Sequence, residues 1–195
     1  MNWLAHVFLS KSDLDFKLGN LLADRIKKSE LQNYSPSFAA GVKCHFEIDR
    51  YTDNHKVVRV SKGRIFEKYK HFAAVLVDIY YDHLLVRNWG NYSDVSYEVF
   101  VEDFYASLPK RAKELSPEAR EMLHNIVKYN VIGHYDTLEG VSLALKRITY
   151  RMKRPDLIDI TDGADSLAEH MKGFEEDFLQ FWPDLQEHIT RTHLT

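Results

Sequence analysis

The stretch Gly41-Val42-Lys43-Cys44-His45-Phe46-Glu47-Ile48-Asp49-Arg50-Tyr51-Thr52-Asp53 decides the fold that we expect for this chain. Within it, His45, Asp49 and Asp53 recur at i, i+4 and i+8. On a helix of about 3.6 residues per turn, positions with this spacing stay on one side. Carboxylates stacked along one helical face repel each other unless a cation lies between them. The spacing therefore predicts a helix that presents these side chains to a divalent metal ion.

The residues around this stretch predict an all-α chain. Ser35-Pro36 is a typical helix start, because serine caps the first turn and proline fits the first helical position. The helix that follows should turn Phe38, Val42 and Ile48 towards a core. Only eight glycines and five prolines interrupt 195 residues, and no hairpin signal separates alternating apolar runs. We expect one domain over residues 1–195, a bundle of about eight helices.

The predicted helices were placed from apolar periodicity and from their start and stop signals. They cover roughly 3–9, 16–28, 36–53, 57–69, 71–89, 96–107, 117–130, 138–152 and 164–191. In the last of these, four aromatic residues form a stripe that we interpret as core packing: Phe174, Phe178, Phe181 and Trp182. Pro183 should kink or restart that helix.

Composition narrows the classes of function. The net charge of −3 argues against general nucleic-acid binding, and the single cysteine, Cys44, excludes a disulfide within the chain. The apolar runs are too short to span a bilayer, and the first residues lack the basic segment of a signal peptide. We therefore expect a cytoplasmic protein with no membrane partner. The oligomeric state stays open.

Candidate metal ligands come from four segments. Two aspartates one turn apart in an apolar, aromatic helix need a partner, because unpaired buried charge is costly. The alternative interpretation is a solvated charged face for the acidic residues and a core position for a lone histidine. The candidate ligands are His6, Asp24, His45, Asp78 and Asp82.

Imidazole and carboxylate ligands without thiolates suit borderline or hard divalent ions. We expect Mn²⁺, with Mg²⁺ or Fe²⁺ as alternatives. Such an ion can polarise a phosphoryl oxygen and lower the pKa of bound water. Hydrolysis at phosphorus would then need no nucleophile from the protein.

The chain resembles the acyl carrier protein phosphodiesterases, which are similar to divergent HD-domain phosphohydrolases. The resemblance covers nearly the whole chain and implies an HD-like all-α fold. It also implies Mn²⁺ dependence and hydrolysis of the phosphodiester that joins 4′-phosphopantetheine to a serine of holo-acyl carrier protein. One departure is that no His-Asp dipeptide occurs; the nearest pair is the reversed Asp82-His83. The matching segments are Met1-Asn2-Trp3-Leu4-Ala5-His6, Gly19-Asn20-Leu21-Leu22-Ala23-Asp24, Gly41-x-x-x-His45-x-x-Ile48-Asp49-x-x-Thr52-Asp53, Asp78-x-x-x-Asp82-His83-x-Leu85 with Trp89, and Phe178-x-x-Phe181-Trp182-Pro183.

On this hypothesis, Asp49 or His83 orients the water or protonates the leaving oxygen. Asn20 and Arg50 are candidate substrate-binding residues, Arg50 by neutralising the phosphate. The exposed basic cluster Arg25, Lys27 and Lys28 would dock the acidic carrier protein. Two other functions remain open.

The first alternative is an HD-like nucleotide phosphohydrolase, in which Tyr80 and Tyr81 would stack on a base. The second is a metal-free helical interaction module. A further basic cluster crowds the end of one predicted helix. We interpret it as a solvated helix end, where positive charge is favourable, in preference to a docking surface. Its residues are Lys146, Arg147, Arg151, Lys153 and Arg154.

Overall fold

The computed structural model describes residues 1–151 and 159–194, and over these ranges it contains α-helices and short 3₁₀ turns but no strand. This confirms the all-α prediction, with ten α-helices in the described part instead of about eight. They are α1 (Trp3–Phe8), α2 (Leu14–Leu22), α3 (Pro36–Asn54), α4 (Lys56–Tyr69), α5 (Ala73–Arg87), α6 (Tyr97–Ser107), α7 (Pro117–Lys128), α8 (Leu138–Arg151), α9 (Gly163–Glu169) and α10 (Met171–Ile189).

Serine caps begin three of these helices where the sequence predicts them. The hydroxyl of Ser35 accepts a hydrogen bond from the backbone N–H of Phe38, and Ser116 accepts one from Ala119. Ser96 does the same for α6. Each cap satisfies one of the N–H groups that a first turn leaves without a partner, which is why serine followed by proline is a reliable start signal.

The second helix ends earlier than the sequence predicts. α2 stops at Leu22, and the chain continues as a 3₁₀ turn over Ala23–Arg25 before Ile26 becomes extended. The predicted helix to residue 28 is therefore wrong. The tighter turn projects Asp24 from the end of α2 towards α3, which a continued α-helix would not do.

The prediction of a single helix over residues 164–191 is also wrong, and no new helix begins at Pro183. The break falls at His170, whose backbone (φ −107°, ψ 15°) leaves the helical region, and α10 runs on through Pro183. Proline removes the hydrogen bond to the carbonyl four residues earlier. That residue, Leu179, is 42% exposed, so water can satisfy its carbonyl.

The core lies between α5 and α10. The aromatic stripe of α10 is fully buried, as predicted, and it packs on Tyr80 and Tyr81 of α5. Both tyrosines are themselves buried: the Tyr80 hydroxyl donates to the carbonyl of Gly163, and the Tyr81 hydroxyl bonds that of Ser61. They are core residues and offer no exposed face for a base.

Two glycines let α2 and α3 cross in direct backbone contact. A Cβ at Gly19 would overlap the carbonyl of Phe38, and a Cβ at Gly41 would overlap the carbonyl of Phe16. Any larger residue would push the helices apart. This crossing places the end of α2, with Asn20, directly beside His45 of α3.

In the described part of the chain, no helix combines the length and apolarity needed to cross a bilayer. The predicted end of α8 at residue 152 lies outside the described residues, as do Lys153 and Arg154 of the second basic cluster.

Candidate metal centre

Three of the predicted site residues converge between α1 and α3. One ligand atom from each of His6, His45 and Asp49 lies within 4.8 Å of the other two. The imidazole rings of His6 and His45 stack, with their centroids 4.1 Å apart. Both histidines are buried, whereas Asp49 is partly exposed and faces the open side of the cluster. Two imidazoles and a carboxylate are a ligand set typical of catalytic divalent metals.

The Nδ1 atoms of both rings are occupied by Asn20. Nδ1 of His6 donates to the side-chain oxygen of Asn20 at 2.9 Å, and Nδ1 of His45 donates to its backbone carbonyl at 2.7 Å. Each Nδ1 therefore carries a proton, and Nε2 is the nitrogen of each ring that faces Asp49 and is available to a metal ion. This is how proteins orient metal-binding histidines.

The two Nε2 atoms are buried and make no hydrogen bond within the described part of the chain. They lie 3.3 Å (His6) and 3.2 Å (His45) from the carboxylate of Asp49, without the geometry of a hydrogen bond. Buried polar atoms are almost always satisfied, so two adjacent exceptions need an explanation. A metal ion bound by both atoms and by Asp49 provides one, and the residues present fit that ion.

Asn20 is held in place by its own contacts. Its amide Nδ2 donates to the carbonyl of His6 and to the hydroxyl of Ser10, each at 2.9 Å. The side chain is 0% exposed, so it positions the histidines from behind. The sequence indicated Asn20 as a candidate substrate-binding residue. The apolar residues that follow it were the available signal for a buried position.

The charges of the cluster are strongly coupled. Burial alone would raise the pKa of Asp49, but His45, His6 and the Met1 ammonium hold it well below its usual range. Burial would lower the pKa of His45, yet Asp24 and Asp49 raise it to about 9. Burial dominates at His6 and lowers its pKa. A carboxylate that stays ionised beside two imidazoles is ready to bind a cation.

Asp24 lies at the edge of this cluster. Its carboxylate is 3.5 Å from Nε2 of His45, and its side chain is 70% exposed. The neighbouring imidazole of His45 lowers the pKa of Asp24. Asp24 is therefore placed to complete the ligand set from the solvent side.

The other two predicted ligands, Asp78 and Asp82, do not belong to the cluster of His6, His45 and Asp49. Asp78 is 3.1 Å from the ammonium group of Met1, which is also 3.2 Å from Asp49. The two oxygens of Asp82 accept the backbone N–H groups of Leu4, at 2.8 Å, and Ala5, at 3.1 Å. Asp82 therefore satisfies the first turn of α1, the helix that carries His6.

Replacing Asp82 with alanine should lower the free energy of unfolding by about 2–4 kcal/mol, because two buried N–H groups lose their acceptor. Burial raises the pKa of Asp82 to about 7, so the folded state binds more protons than the unfolded state between pH 4 and 7. Its contribution therefore falls as pH rises through that range. Urea unfolding of both proteins should give a larger difference at pH 5 than at pH 8.

The control for this prediction is Asp53→Ala. Asp53 is exposed and pairs with Lys62 at 2.8 Å, outside the metal cluster. Its loss should change stability by less than about 0.5 kcal/mol. Equal effects of the two substitutions would contradict the capping role of Asp82.

The remaining predicted residues lie outside the cluster. His83 is buried, and its Nδ1 donates to the carbonyl of Tyr135 at 2.7 Å. The guanidinium of Arg50 pairs with Glu47 at 2.7 Å on the exposed side of α3. The cluster Arg25, Lys27 and Lys28 is exposed directly after Asp24.

The N-terminal ammonium group takes part in the site without any signal in the sequence. The Met1 ammonium contacts Asp49 and Asp78, and no motif indicates such a contact.

Cys44 is a buried core residue, as expected. Burial raises the pKa of its thiol to about 12, which disfavours a thiolate ligand.

Comparison with known proteins identifies a family and several relatives of this chain. The family model for "Acyl carrier protein phosphodiesterase" matches residues 1–185. A protein of that name from Escherichia coli O6:H1 is 27% identical and aligns over 100% of both chains. One from Yersinia enterocolitica serotype O:8 is 27% identical over 94% of each chain.

A third relative of the same name, from Photorhabdus laumondii, is 26% identical over 96% of this chain and 94% of its own. No solved structure gave a significant match. The HD-like topology therefore stays a prediction from the resemblance. Since the family model covers almost the entire chain and its relatives align from end to end, this chain belongs to the acyl carrier protein phosphodiesterase family.

Proposed function

We propose that this chain is a metal-dependent phosphodiesterase that removes 4′-phosphopantetheine from holo-acyl carrier protein. The observation that carries the proposal is the pair of buried, unsatisfied Nε2 atoms beside Asp49 in a member of this family. In the reaction, the phosphorus–oxygen bond to the carrier serine breaks. Water supplies a hydroxyl to phosphorus and a proton to the serine oxygen, so the products are apo-carrier protein and 4′-phosphopantetheine.

The ion that we propose is Mn²⁺, held by His6, His45 and Asp49, with Asp24 as a fourth ligand. Mixed nitrogen and oxygen donors suit Mn²⁺ or Fe²⁺, and two imidazoles disfavour Mg²⁺. When bound, the ion supplies Lewis acidity towards the phosphoryl oxygen and the attacking water.

The protein's own residues hold this arrangement rigid. Asn20 accepts the Nδ1 proton of both histidines, so Nε2 is the nitrogen of each ring that would bind the ion. Asp49, which we considered as a catalytic base, is assigned to binding the ion because it lies between the two Nε2 atoms. His83 is assigned no proton transfer at the centre, because it does not belong to the cluster of His6, His45 and Asp49.

Mass spectrometry of holo-carrier protein, incubated with this protein and Mn²⁺, tests the proposal directly. We expect loss of the phosphopantetheine mass, and no loss after the protein has been stripped with a chelator. A panel of nucleotides serves as the control and should stay intact. An unchanged carrier protein, or hydrolysis of nucleotides alone, would refute the proposed function.

The exposed cluster of Arg25, Lys27 and Lys28 should dock the carrier protein. Reversing all three residues to glutamate should slow productive association about tenfold at low ionic strength, because opposite charges steer the encounter. Added salt should shrink the difference, since the Debye length falls to about 8 Å at 0.15 M. The measurement is kcat/KM for holo-carrier protein as a function of salt.

A matched control carries the same change in net charge elsewhere. Lys110, Lys113 and Lys172 are exposed, and their reversal to glutamate should leave kcat/KM nearly unchanged. Equal losses for the two triple variants would mean that net charge, and not this cluster, governs association. Metal content should be the same in all three proteins.

A further inference from the structure

A large cavity opens beside the metal centre. Its volume is about 730 Å³, and it is bounded by α7, α8 and the residues that begin α1. This is within the range of about 300–1,000 Å³ that small-molecule sites occupy. Apolar side chains form much of its wall, among them Trp3, Met122 and Ile148.

The wall of the cavity is continuous with the metal centre. Arg25 lines the cavity and directly follows Asp24, which approaches His45. On the opposite side, Asn2 lines the cavity and directly follows Met1, whose ammonium contacts Asp49. The cavity therefore lies next to two of the segments that form the metal centre, Met1-Asn2 and Asp24-Arg25.

The same edge carries the proposed docking cluster, to which Arg25 belongs. A carrier protein bound there would present its modified serine at the junction between the metal centre and the cavity. The prosthetic arm would then need a place to lie on the enzyme. The cavity is the space that the structure provides at that junction.

The chemistry of the wall matches this arm. Pantetheine is an aliphatic chain with two amides, a hydroxyl group and a terminal thiol. Apolar side chains can pack on its methyl and methylene groups, and the side chain of Asn125 can hydrogen-bond an amide. Arg25 lies where the phosphate would begin.

We propose that this cavity binds the pantetheine arm of the substrate. The proposal rests on the proposed function, which does not itself specify where the arm lies. A nucleotide is the alternative occupant, and the binding test below distinguishes the two. The ring of Tyr129 in the cavity wall lies against Lys128 and Arg147, at 5.1 and 5.3 Å from its centroid.

Filling the cavity tests the assignment. Ile148→Trp, on α8, places a larger side chain in the wall, and Leu143→Trp is its control, because Leu143 lies on the same helix, is exposed and does not line the cavity. Met122→Trp, with Val127→Trp as control, repeats the test on α7 and covers a folding failure of the first variant. Circular dichroism checks that each variant is folded.

The measurement is calorimetric binding of 4′-phosphopantetheine, pantetheine and AMP to Mn²⁺-loaded protein. We expect wild type to bind both pantetheine compounds, the cavity variants to bind them at least tenfold more weakly, and the controls to match wild type. If the cavity variants also lose binding of pantetheine, which has no phosphate, then the cavity holds the arm and not only the phosphate. Binding of AMP alone, no binding of 4′-phosphopantetheine at millimolar concentration, or equal affinities in all variants would overturn the proposal.

Hydrolysis assays on the same proteins separate this inference from the proposed function. If wild type hydrolyses holo-carrier protein and the cavity variants do so with unchanged KM, the cavity assignment is wrong and the proposed function stands. If no protein hydrolyses it, but filling the cavity abolishes pantetheine binding, the proposed function is wrong and the cavity assignment stands.

Discussion

Replacing His45 with glutamine is expected to remove the bound metal and to reduce hydrolysis of holo-carrier protein at least 100-fold, since even residues behind a metal ligand typically contribute about 10–100-fold. The Nε2 atom of His45 faces both Asp49 and Asp24, so its loss takes away the donor shared by the two carboxylates. Glutamine keeps a polar side chain of similar length but offers no imidazole nitrogen. Helicity should be unchanged.

Metal content per chain, measured by mass spectrometry of the purified protein, is the primary readout. His71→Gln is the matched control, because His71 is exposed on a 3₁₀ turn outside the cluster. Chelation should lower the melting temperature of wild type and of the control, and Mn²⁺ should restore it, because an ion bound only by the folded state stabilises that state. A His45→Gln protein that retains metal and activity would place the centre elsewhere.

Replacing Gly41 with alanine is expected to destabilise the protein by about 3 kcal/mol or more, which is a large effect for one methyl group. The added Cβ would overlap the backbone of α2 at Phe16, and backbone cannot move aside as a side chain can. Separating α2 from α3 would also move Asn20 away from His45. Metal affinity should therefore fall together with stability.

Gly63→Ala provides a control of the same chemical change. Gly63 lies within α4, and a Cβ there would have no neighbour within 4 Å in the described part of the chain. Alanine should stabilise that helix by about 0.5–1 kcal/mol. Urea unfolding and metal content, measured for both variants, would contradict the close-crossing argument if Gly41→Ala behaved like Gly63→Ala.

Helix starts could be predicted from sequence because capping is local. Ser35 and Ser116 need only their own first turns to satisfy N–H groups, so their neighbours contain the whole signal. The end of α2 and the break at His170 have no such local signal. Packing against other helices decided both, and a single sequence does not contain those contacts.

The candidate site divides in the same way. His45 and Asp49 could be placed together from helical spacing, because side chains one turn apart share a face, although the sequence assigned Asp49 a catalytic role and not a ligand role. His6 lies on another helix, and only its residue type and the family resemblance indicated it. Asp82 could not be placed, because a buried carboxylate is satisfied equally well by a metal ion or by backbone N–H groups. The position of α1 distinguishes these two partners, because its Leu4 and Ala5 donate their backbone N–H groups to Asp82.

Asn20 has a consequence for the speed of metal exchange. The side-chain oxygen of Asn20 holds the ring of His6, and its backbone carbonyl holds the ring of His45. The side chain of Asn20 is itself anchored by His6 and Ser10, so both Nε2 atoms are already positioned before an ion would bind. Little side-chain freedom is then lost when the ion binds, and no refolding step has to precede it. Entry and departure of the ion should therefore be limited by passage between Asp24 and Asp49.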